Sequence, residues 1–290
     1  MTEKKIKVIS YYLDSNEPRY TVGAIANAIY SQQLYPEWLC EFNITSNVNL
    51  EVSDRINELP HTSVTKLQHE PDDYSGMFYR FESLSNPNVE AVVYRDCGSR
   101  LTEREKSAVD EWIESDFNFH IMHDHVKLPF FPQGCWGAKP MGLPNIKDVA
   151  LNFLEMLRNR PWEKLCFLND SGKICYRKQA YSRFLESVVY PFAEFSLMRH
   201  DDSTLNVSGQ KIGIPFPTKK TLESGYVGEK YNIDETPLNP KDRISTVEDF
   251  AKSLLMYKDS ENTKETQDML EYSQQVFLNL REARNSLDIQ

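Results

Sequence analysis

The sequence has few cysteines and glycines, and it lacks the patterns that these residues form in secreted or metal-binding domains. Its five cysteines are an odd number, and no two of them have the C-x-x-C spacing of a zinc site. This usage argues against a disulfide scaffold and favours a reducing compartment. Only 11 of the 290 residues are glycine, which excludes a collagen-like or glycine-rich repeat.

Long apolar runs and an excess of positive charge are also missing. No stretch approaches the ~18 apolar residues of a membrane span, and the N-terminus has no signal-peptide core. The formal net charge is −10, whereas binding to nucleic acid or to anionic lipid usually needs a basic patch. We therefore expect a cytoplasmic protein with no transmembrane segment and no nucleic-acid partner.

The chain does have an ordinary globular composition and an alternating pattern of strands and helices. With 40% hydrophobic residues, it can form about two domains of ~150 residues, or one large domain with additions. The predicted strands are Ile6–Tyr12, Leu39–Ile44, Ser63–Leu67, Val89–Tyr94 and Phe119–Met122. The predicted helices are Tyr20–Leu34, Leu50–Leu59, one that starts at the capping-box pattern of Thr102 and Glu105, Asp148–Arg158 and Gln179–Val189. This order predicts an α/β fold that binds ligands at the carboxyl ends of its strands.

Two further segments complete the predicted organisation. Residues 127–144 are rich in proline and glycine, which predicts a loop that wraps over a site. Residues 244–290 contain two helical patterns. We predict that they form a C-terminal helical extension packed on a main domain of residues 1–243.

The first motif with chemical potential follows the apolar strand Val89–Tyr94, which reads as a central strand buried on both faces. Asp96 would project from the carboxyl edge of the sheet, between Arg95 and Arg100. A carboxylate there could hold a divalent cation against a diphosphate, and the arginines could bind phosphate oxygens. The alternative is a polar strand end that makes only turn hydrogen bonds.

The second motif places three histidines and one aspartate within six residues, from His120 to His125. In an extended chain, His123 and His125 share one face, and His120 and Asp124 share the other. The segment could be a metal site, or Asp124 could be a general base. The alternative is a strand end with surface histidines. A third pair, His200–Asp201, is more often structural than functional when taken alone.

These pieces follow one another in an order that resembles a known family. The motifs are Tyr20–Ile25, Tyr35–Trp38, Gly76–Phe81, Arg95–Arg100, Arg104–Trp112, His120–Gly137, Phe184–Pro191, His200–Asp201, Pro215–Thr218 and Tyr226–Glu229. The set resembles the GT-A-type nucleotide-diphospho-sugar glycosyltransferases of bacteria and large DNA viruses, over roughly Ile6 to Glu229.

The resemblance implies a GT-A, Rossmann-like sheet that binds a nucleotide sugar. The expected activity moves a hexosyl or pentosyl group from a nucleoside-diphosphate sugar, with UDP as the expected nucleotide, to a glycan or other hydroxyl acceptor. We expect inversion with a side-chain general base. The family's D-x-D motif holds Mn²⁺ or Mg²⁺. Here it falls on Asp96, but Gly98 stands at the second acid position and Tyr181–Ser182 replaces an Asp-Gln pair, so we expect weaker metal dependence.

The chemistry of glycosyl transfer, which needs a base and a neutralised diphosphate, then suggests roles for individual residues. Asp124 is the predicted base, with His125 or His123 as its substitute, and Asp96 and His200 are the predicted metal ligands. The predicted donor contacts are Tyr11, Tyr12, Leu13, Asp14, Arg80, Arg95, Asp96, Ser99, Arg100, Trp136 and Lys139.

Two rival functions remain open at this point. One is a non-catalytic module that binds a nucleotide sugar or a glycan on the same fold, which the missing acid at Gly98 would favour. The other is a metal-dependent hydrolase that uses His123, Asp124 and His125. It would need further acidic ligands at strand ends, and the sequence offers no convincing set.

Overall fold

The computed structural model describes residues 5–68, 73–125, 128–159, 164–203, 213–221 and 223–243. The predicted C-terminal extension, residues 244–290, lies outside the described residues, so that prediction stays untested.

The described chain is an α/β structure. Its strands are β1 Ile6–Leu13, β2 Trp38–Thr45, β3 Thr62–Leu67, β4 Val89–Asp96, β5 Phe119–His123, β6 Cys135–Ala138, β7 Cys166–Leu168, β8 Ile174–Tyr176 and β9 Leu197–Asp201. Its helices are α1 Pro18–Leu34, α2 Leu50–Asn57, α3 Glu103–Ile113, α4 Ile146–Asn159, α5 Lys178–Phe184 and α6 Tyr190–Ala193, with a 3₁₀ helix at Tyr74–Phe81 and a π-helical turn at Leu185–Val189. All five strands predicted from the sequence are present, each within one or two residues of its expected ends.

Seven strands form the central sheet, in the order β3-β2-β1-β4-β6-β5-β9. Strands β3, β2, β1 and β4 are mutually parallel. The chain moves outward from β1 toward β3 on one side and toward β4 on the other. The carboxyl ends of β1 and β4 therefore flank a topological switch point, the place where open α/β sheets form a ligand crevice.

The sheet lies between two apolar layers, and β4 contributes to both. Val92 and Tyr94 belong to the layer that includes the 3₁₀ helix, α4 and α5. Ala91 and Val93 belong to the layer that includes α1 and α3. Burial on both faces explains why this strand reads as a nearly continuous apolar run.

The proline- and glycine-rich segment differs from its prediction. Instead of a continuous loop over a site, it inserts β6 into the middle of the sheet, antiparallel to both β4 and β5. Gly137 makes this possible, because a Cβ atom there would lie 2.9 Å from the carbonyl oxygen of Val92 and 3.1 Å from the ring of Trp112. Because β6 runs against β4, Lys139 comes at the edge opposite to Asp96.

The predicted capping box of α3 is half confirmed. The Thr102 hydroxyl accepts a hydrogen bond from the backbone N–H of Glu105 at 3.1 Å, as an N-cap does. The Glu105 carboxylate does not reach back to residue 102. It forms a buried ion pair with Arg95 at 2.6 Å, which ties the helix to the end of β4.

Two further findings concern the cysteines and the possibility of a membrane-spanning helix. All five cysteines are free thiols and are buried. Within the described ranges, no helix combines the length and the apolar character that crossing a bilayer requires.

Candidate functional site

A cavity of about 290 Å³ opens at the switch point, and we call it the edge cavity. Tyr12, Leu13 and Asp14 line it from the end of β1, and Asp96 lines it from the end of β4. Arg80, from the 3₁₀ helix, lines its inner side. Five residues predicted as donor contacts therefore meet in one cavity.

A second cavity of about 330 Å³ lies beside the first, and we call it the loop cavity. Ser99 and His125 line it, together with Leu128 and Gln133 of the segment before β6. The ring of His125 stacks on Tyr226 with centroids 4.3 Å apart.

The two cavities share three lining residues, Asp96, Lys178 and Lys230, which we call the shared wall. Lys178 begins α5, and Lys230 is held by a backbone bridge to Ser99. Within the described part of the chain, none of the three charged groups has a hydrogen bond or an ion pair to protein. Because these uncompensated charges line both cavities, they can contact a ligand in either one.

The position of Asp96 depends on a close approach by Gly134. A Cβ atom at position 134 would lie 2.5 Å from Cγ of Asp96 and 2.7 and 2.8 Å from its carboxylate oxygens. Only glycine leaves room for the carboxylate there, so Gly134 fixes where Asp96 can point.

Arg80 is a buried cation with no acidic partner among the described side chains. It is 1% exposed, and its Nη2 donates to the carbonyl oxygens of Ser10 at 3.0 Å and Arg95 at 2.9 Å. Its Nε has no partner. The guanidinium also lies over the ring of Tyr94, 5.2 Å from the centroid. Its charge is thus solvated by carbonyls and a ring but is not neutralised.

The other predicted arginines are neutralised and line neither cavity. Arg95 is paired with Glu105, and Arg100 is held by both carboxylate oxygens of Glu235 at 2.8 and 2.9 Å. Their charges stabilise the framework behind the site, and neither guanidinium faces a cavity.

Three more predicted donor contacts lie in the framework. Tyr11 is fully buried and stacks on Phe42 at 4.8 Å, and Trp136 is fully buried and stacks on Tyr94 at 4.1 Å. Lys139 donates to the carbonyl oxygen of Ser115 at 2.6 Å, beyond the end of α3 and away from the cavities. The sequence could not place Lys139, because the direction of β6 was not predicted.

Asp124, the predicted base, lies in a buried cluster of charges that we call the Arg104 cluster. It is fully buried, and Arg104 donates to both of its carboxylate oxygens at 2.8 Å. The backbone N–H of Val227 donates to it at 3.0 Å, and Lys220 lies 3.5 Å away. Arg104 also pairs with Asp202 at 2.7 Å. This carboxylate lines neither cavity, and its oxygens already accept hydrogen bonds from protein groups.

The Arg104 cluster also changes the pKa of Arg104 itself. Burial alone lowers the pKa of Arg104, but the hydrogen bonds and charges of Asp124 and Asp202 raise that pKa above its ordinary value. His123, one of the two predicted substitute bases, is buried between Ser203 and the carbonyl oxygen of Leu128, which lies 3.0 Å from Nε2 of His123. Of the three predicted catalytic residues, His125 is the one that lines either of the two described cavities.

His200, a predicted metal ligand, is in the core and is not near Asp96. It pairs with Met122 of β5, three strand positions and roughly 14 Å from β4. Its Nδ1 shares a hydrogen bond with Nε2 of His120 at 2.8 Å, and its Nε2 shares one with Glu111 at 3.1 Å. Both ring nitrogens are therefore used by protein partners.

Without His200, the residues near Asp96 do not form a binding site for a divalent metal ion. Across the described ranges, no three His, Cys, Asp or Glu side chains come together in a way that could hold one. A Cβ atom at Gly98 would lie 2.9 Å from the ring of Tyr20, so that ring fills the place of a second acid. Nor do His123, Asp124 and His125 form the metal centre that a hydrolase would need.

Sequence reasoning missed the two lysines of the shared wall. Lys178 directly precedes the predicted helix Gln179–Val189, and Lys230 directly follows the motif Tyr226–Glu229. Lone lysines next to elements have no spacing that marks them as ligand-binding. They become visible only when the fold brings them to the same cavity as Asp96.

Comparisons with known proteins give fold-level similarity only. No protein-family model matches the chain, and no curated protein matches it. Among solved structures, it is similar to a glycosyltransferase involved in glycosylation of the major capsid of PBCV-1, with 10% identity, 67% of this chain and 81% of that chain covered, and a TM-score of 0.39.

Two other similar structures are those of enzymes with different names. Mannosyl-3-phosphoglycerate synthase from Rubrobacter xylanophilus has 11% identity, coverage of 89% and 77%, and a TM-score of 0.41. 4-Diphosphocytidyl-2C-methyl-D-erythritol synthase from Anaerococcus prevotii has 9% identity, coverage of 88% and 97%, and a TM-score of 0.40. At TM-scores below 0.5, the function must be argued from the residues of this chain.

Proposed function

We propose that this chain is a GT-A-type glycosyltransferase that moves a sugar from a nucleoside-diphosphate sugar to a glycan hydroxyl. The observation that carries the proposal is the shared wall, where Asp96, Lys178 and Lys230 face both cavities and have no protein partners among the described residues. A transferase needs two substrate sites that meet at one set of charged groups. The two cavities and their common wall provide that arrangement.

The edge cavity is the proposed donor site. It lies at the switch point of the sheet, where nucleotides bind in related architectures, and Tyr12, Tyr20 and Tyr74 give it aromatic surface for a base. Its volume of about 290 Å³ is close to the lower end of small-molecule sites, ~300 Å³. UDP is the first nucleotide to test.

The loop cavity is the proposed acceptor site, and Asp96 is the proposed general base. Transfer breaks the bond between the anomeric carbon and the phosphate oxygen, and the nucleoside diphosphate leaves with the electron pair. The acceptor oxygen forms the new bond to that carbon, and its proton goes to the base. Asp96 is the one carboxylate on the shared wall, so it can reach a hydroxyl bound in the loop cavity.

Asp96 borders the acceptor cavity, and Arg80 with the two lysines borders the donor cavity, an arrangement that favours a single displacement with inversion. In this assignment Asp124 is a positioning residue, because its bonds to Arg104 and to the backbone of Val227 hold the segment next to His125 and Tyr226. His125 then contributes to the surface of the loop cavity.

The alternative is a module that binds the nucleotide sugar without turnover, which the single acid of the D-x-D position favours. The two functions are separated by incubating the purified chain with UDP- and GDP-sugars and a panel of glycan acceptors. We expect acceptor-dependent release of nucleoside diphosphate and formation of a glycosylated product.

Calorimetry provides the second arm of this experiment. Donor binding without product under every acceptor condition would identify the binding module. No binding of UDP, GDP or their sugars at millimolar concentration would overturn both functions.

A further inference from the structure

We infer that Lys178 and Lys230, supported by Arg80, neutralise the donor diphosphate in place of a divalent metal ion. The inference deepens the proposed function and rests on it. Arg80 lies in the motif Gly76–Phe81 and is a predicted donor contact, whereas no sequence motif marks Lys178 or Lys230.

The site fits a divalent metal ion poorly. Asp96 supplies one carboxylate, and the Tyr20 ring lies where a side chain at Gly98 would start. Hard divalent cations take about six oxygen ligands, and carboxylates supply most of the protein's charge toward them. A divalent cation on the shared wall would also be repelled by the ammonium groups of Lys178 and Lys230.

The main chain holds the two lysines in place. Lys178 starts α5, whose residues Ala180 and Phe184 are fully buried in the core. The backbone of Lys230 accepts a hydrogen bond from Leu238 at 2.8 Å, and the next residue, Tyr231, donates to the Gly98 carbonyl at 3.0 Å. The main chain thus fixes both lysines, while their exposed ammonium groups stay free to meet a ligand.

Arg80 points to an anion independently of the lysines. A buried charge without a counter-ion is strongly unfavourable, because it has lost its hydration and gained no opposite charge. Arg80 is 1% exposed, lines the edge cavity, and has no carboxylate partner among the described residues. A phosphate in that cavity would supply the missing negative charge.

Acidic groups also line the edge cavity and must be counted. Glu17 is paired with Arg19 at 2.8 Å, and Asp14 and Asp96 lie at the ends of β1 and β4. Against these, Arg80, Lys178 and Lys230 give three cations in one cavity. A diphosphate bound in the edge cavity would share that cavity with all three cations, while Asp96 also borders the loop cavity.

The test measures the binding of UDP and GDP by calorimetry, once in excess EDTA and once with Mn²⁺ added. We expect the nucleotide that binds to have the same Kd within about threefold under both conditions. In EDTA, Lys178→Gln and Lys230→Gln should each weaken its binding about tenfold, as expected when a charge-assisted hydrogen bond is lost. The nucleoside without phosphates should bind these variants as it binds the wild type.

Lys66→Gln is the matched control, because Lys66 is an exposed lysine on β3 that lines neither cavity. It should leave the Kd unchanged, and all three variants should keep the wild-type melting temperature. Nucleotide binding that requires Mn²⁺, or that is insensitive to both lysine variants, overturns the inference and leaves the proposed function standing. Failure of UDP, GDP and their sugars to bind under any condition overturns the proposed function itself.

Discussion

The Arg104 cluster and the shared wall are both rich in charge, but they differ in how that charge is balanced. Arg104 is held by Asp124 and Asp202, and each of these charges has a partner within 3 Å. On the shared wall, Asp96 and the two lysines have no partner among the described residues. Balanced charge stabilises the fold around the site, whereas unbalanced charge at a cavity marks the place for a ligand.

The largest expected effect is on the transfer rate, and it comes from a substitution on the shared wall. Asp96→Asn removes the proposed base but keeps the shape of the side chain, so transfer should fall ~10²–10⁴-fold. The Kd for the donor nucleotide should change little. Steady-state rates and a melting curve check this, with Asp54→Asn on the exposed side of α2 as control. A rate within a few-fold of wild type would place the base elsewhere.

The next effect tests the balanced region. Arg104→Met leaves Asp124 buried without its main counter-ion, which should lower the free energy of unfolding by about 3–5 kcal/mol. Arg158→Met is the control, because the Arg158 side chain is 59% exposed and its pair with Glu155 is on the surface. An exposed pair contributes ~0–1 kcal/mol. Urea unfolding of both variants makes the comparison.

Asp124→Asn sharpens the same comparison, because it separates a structural role from the role predicted by sequence. The structural role predicts a loss of stability of about 3 kcal/mol, with the rate per folded molecule nearly unchanged. If the melting curve is unchanged and transfer falls ~10²-fold or more, Asp124 is the base and Asp96 is not.

A smaller effect comes from the glycine that places Asp96. In Gly134→Ala, the new methyl group would lie 2.5 Å from Cγ of Asp96, so the carboxylate must move. Transfer should fall roughly 10–10²-fold, as expected for a displacement of about 1 Å in a catalytic group. Because the change acts through Asp96, the double variant with Asp96→Asn should be no slower than Asp96→Asn alone. Additive losses would disprove this link.

The smallest effect concerns acid stability. Burial, with the nearby His200, lowers the pKa of His120 well below its ordinary value. Burial also lowers the pKa of His200, although the adjacent Glu111 opposes that shift. In the unfolded chain both titrate near ~6.5, so below that pH the unfolded state binds more protons than the folded state.

The free energy of unfolding should therefore fall as pH drops below about 6.5, by up to ~1.4 kcal/mol per pH unit for each histidine. Urea unfolding at pH 7.5 and 5.5 measures the drop. His120→Phe should reduce it by about half, because one of the two histidines no longer titrates. An unchanged drop would assign the acid sensitivity to other groups.

The parallel half of the sheet could be predicted because each of its elements has its own signal. Strand β4 is a continuous apolar run, and α3 begins at a recognisable cap. Strand β6 has only four residues, Cys135–Ala138, within a segment rich in proline and glycine. The pairing of β6 with β4 and β5 depends on the space that Gly137 leaves for Val92 and Trp112. This close approach exists only in the folded sheet, so the sequence alone does not show it.

Site residues that follow a strand end could be predicted from the sequence. Site residues whose role depends on which charges form ion pairs could not. Asp96 follows an evident central strand, so its place at the sheet edge could be expected. The sequence could not show that Arg95 and Arg100 would find Glu105 and Glu235, while Arg80 would find no acid. The dense histidine segment resembles a functional cluster, yet Asp124 and His123 in it bind protein groups and hold the fold.

The burial of the five thiols has a practical consequence for experiments on this chain. Burial raises the pKa of Cys40 to about 12, and it also raises the pKa of Cys97 and of Cys135, which line the two cavities. The thiolate is the form that alkylating reagents attack, so these three native thiols should react slowly at neutral pH. A single cysteine introduced at exposed Lys66 would then be labelled by a fluorophore ahead of these three native thiols.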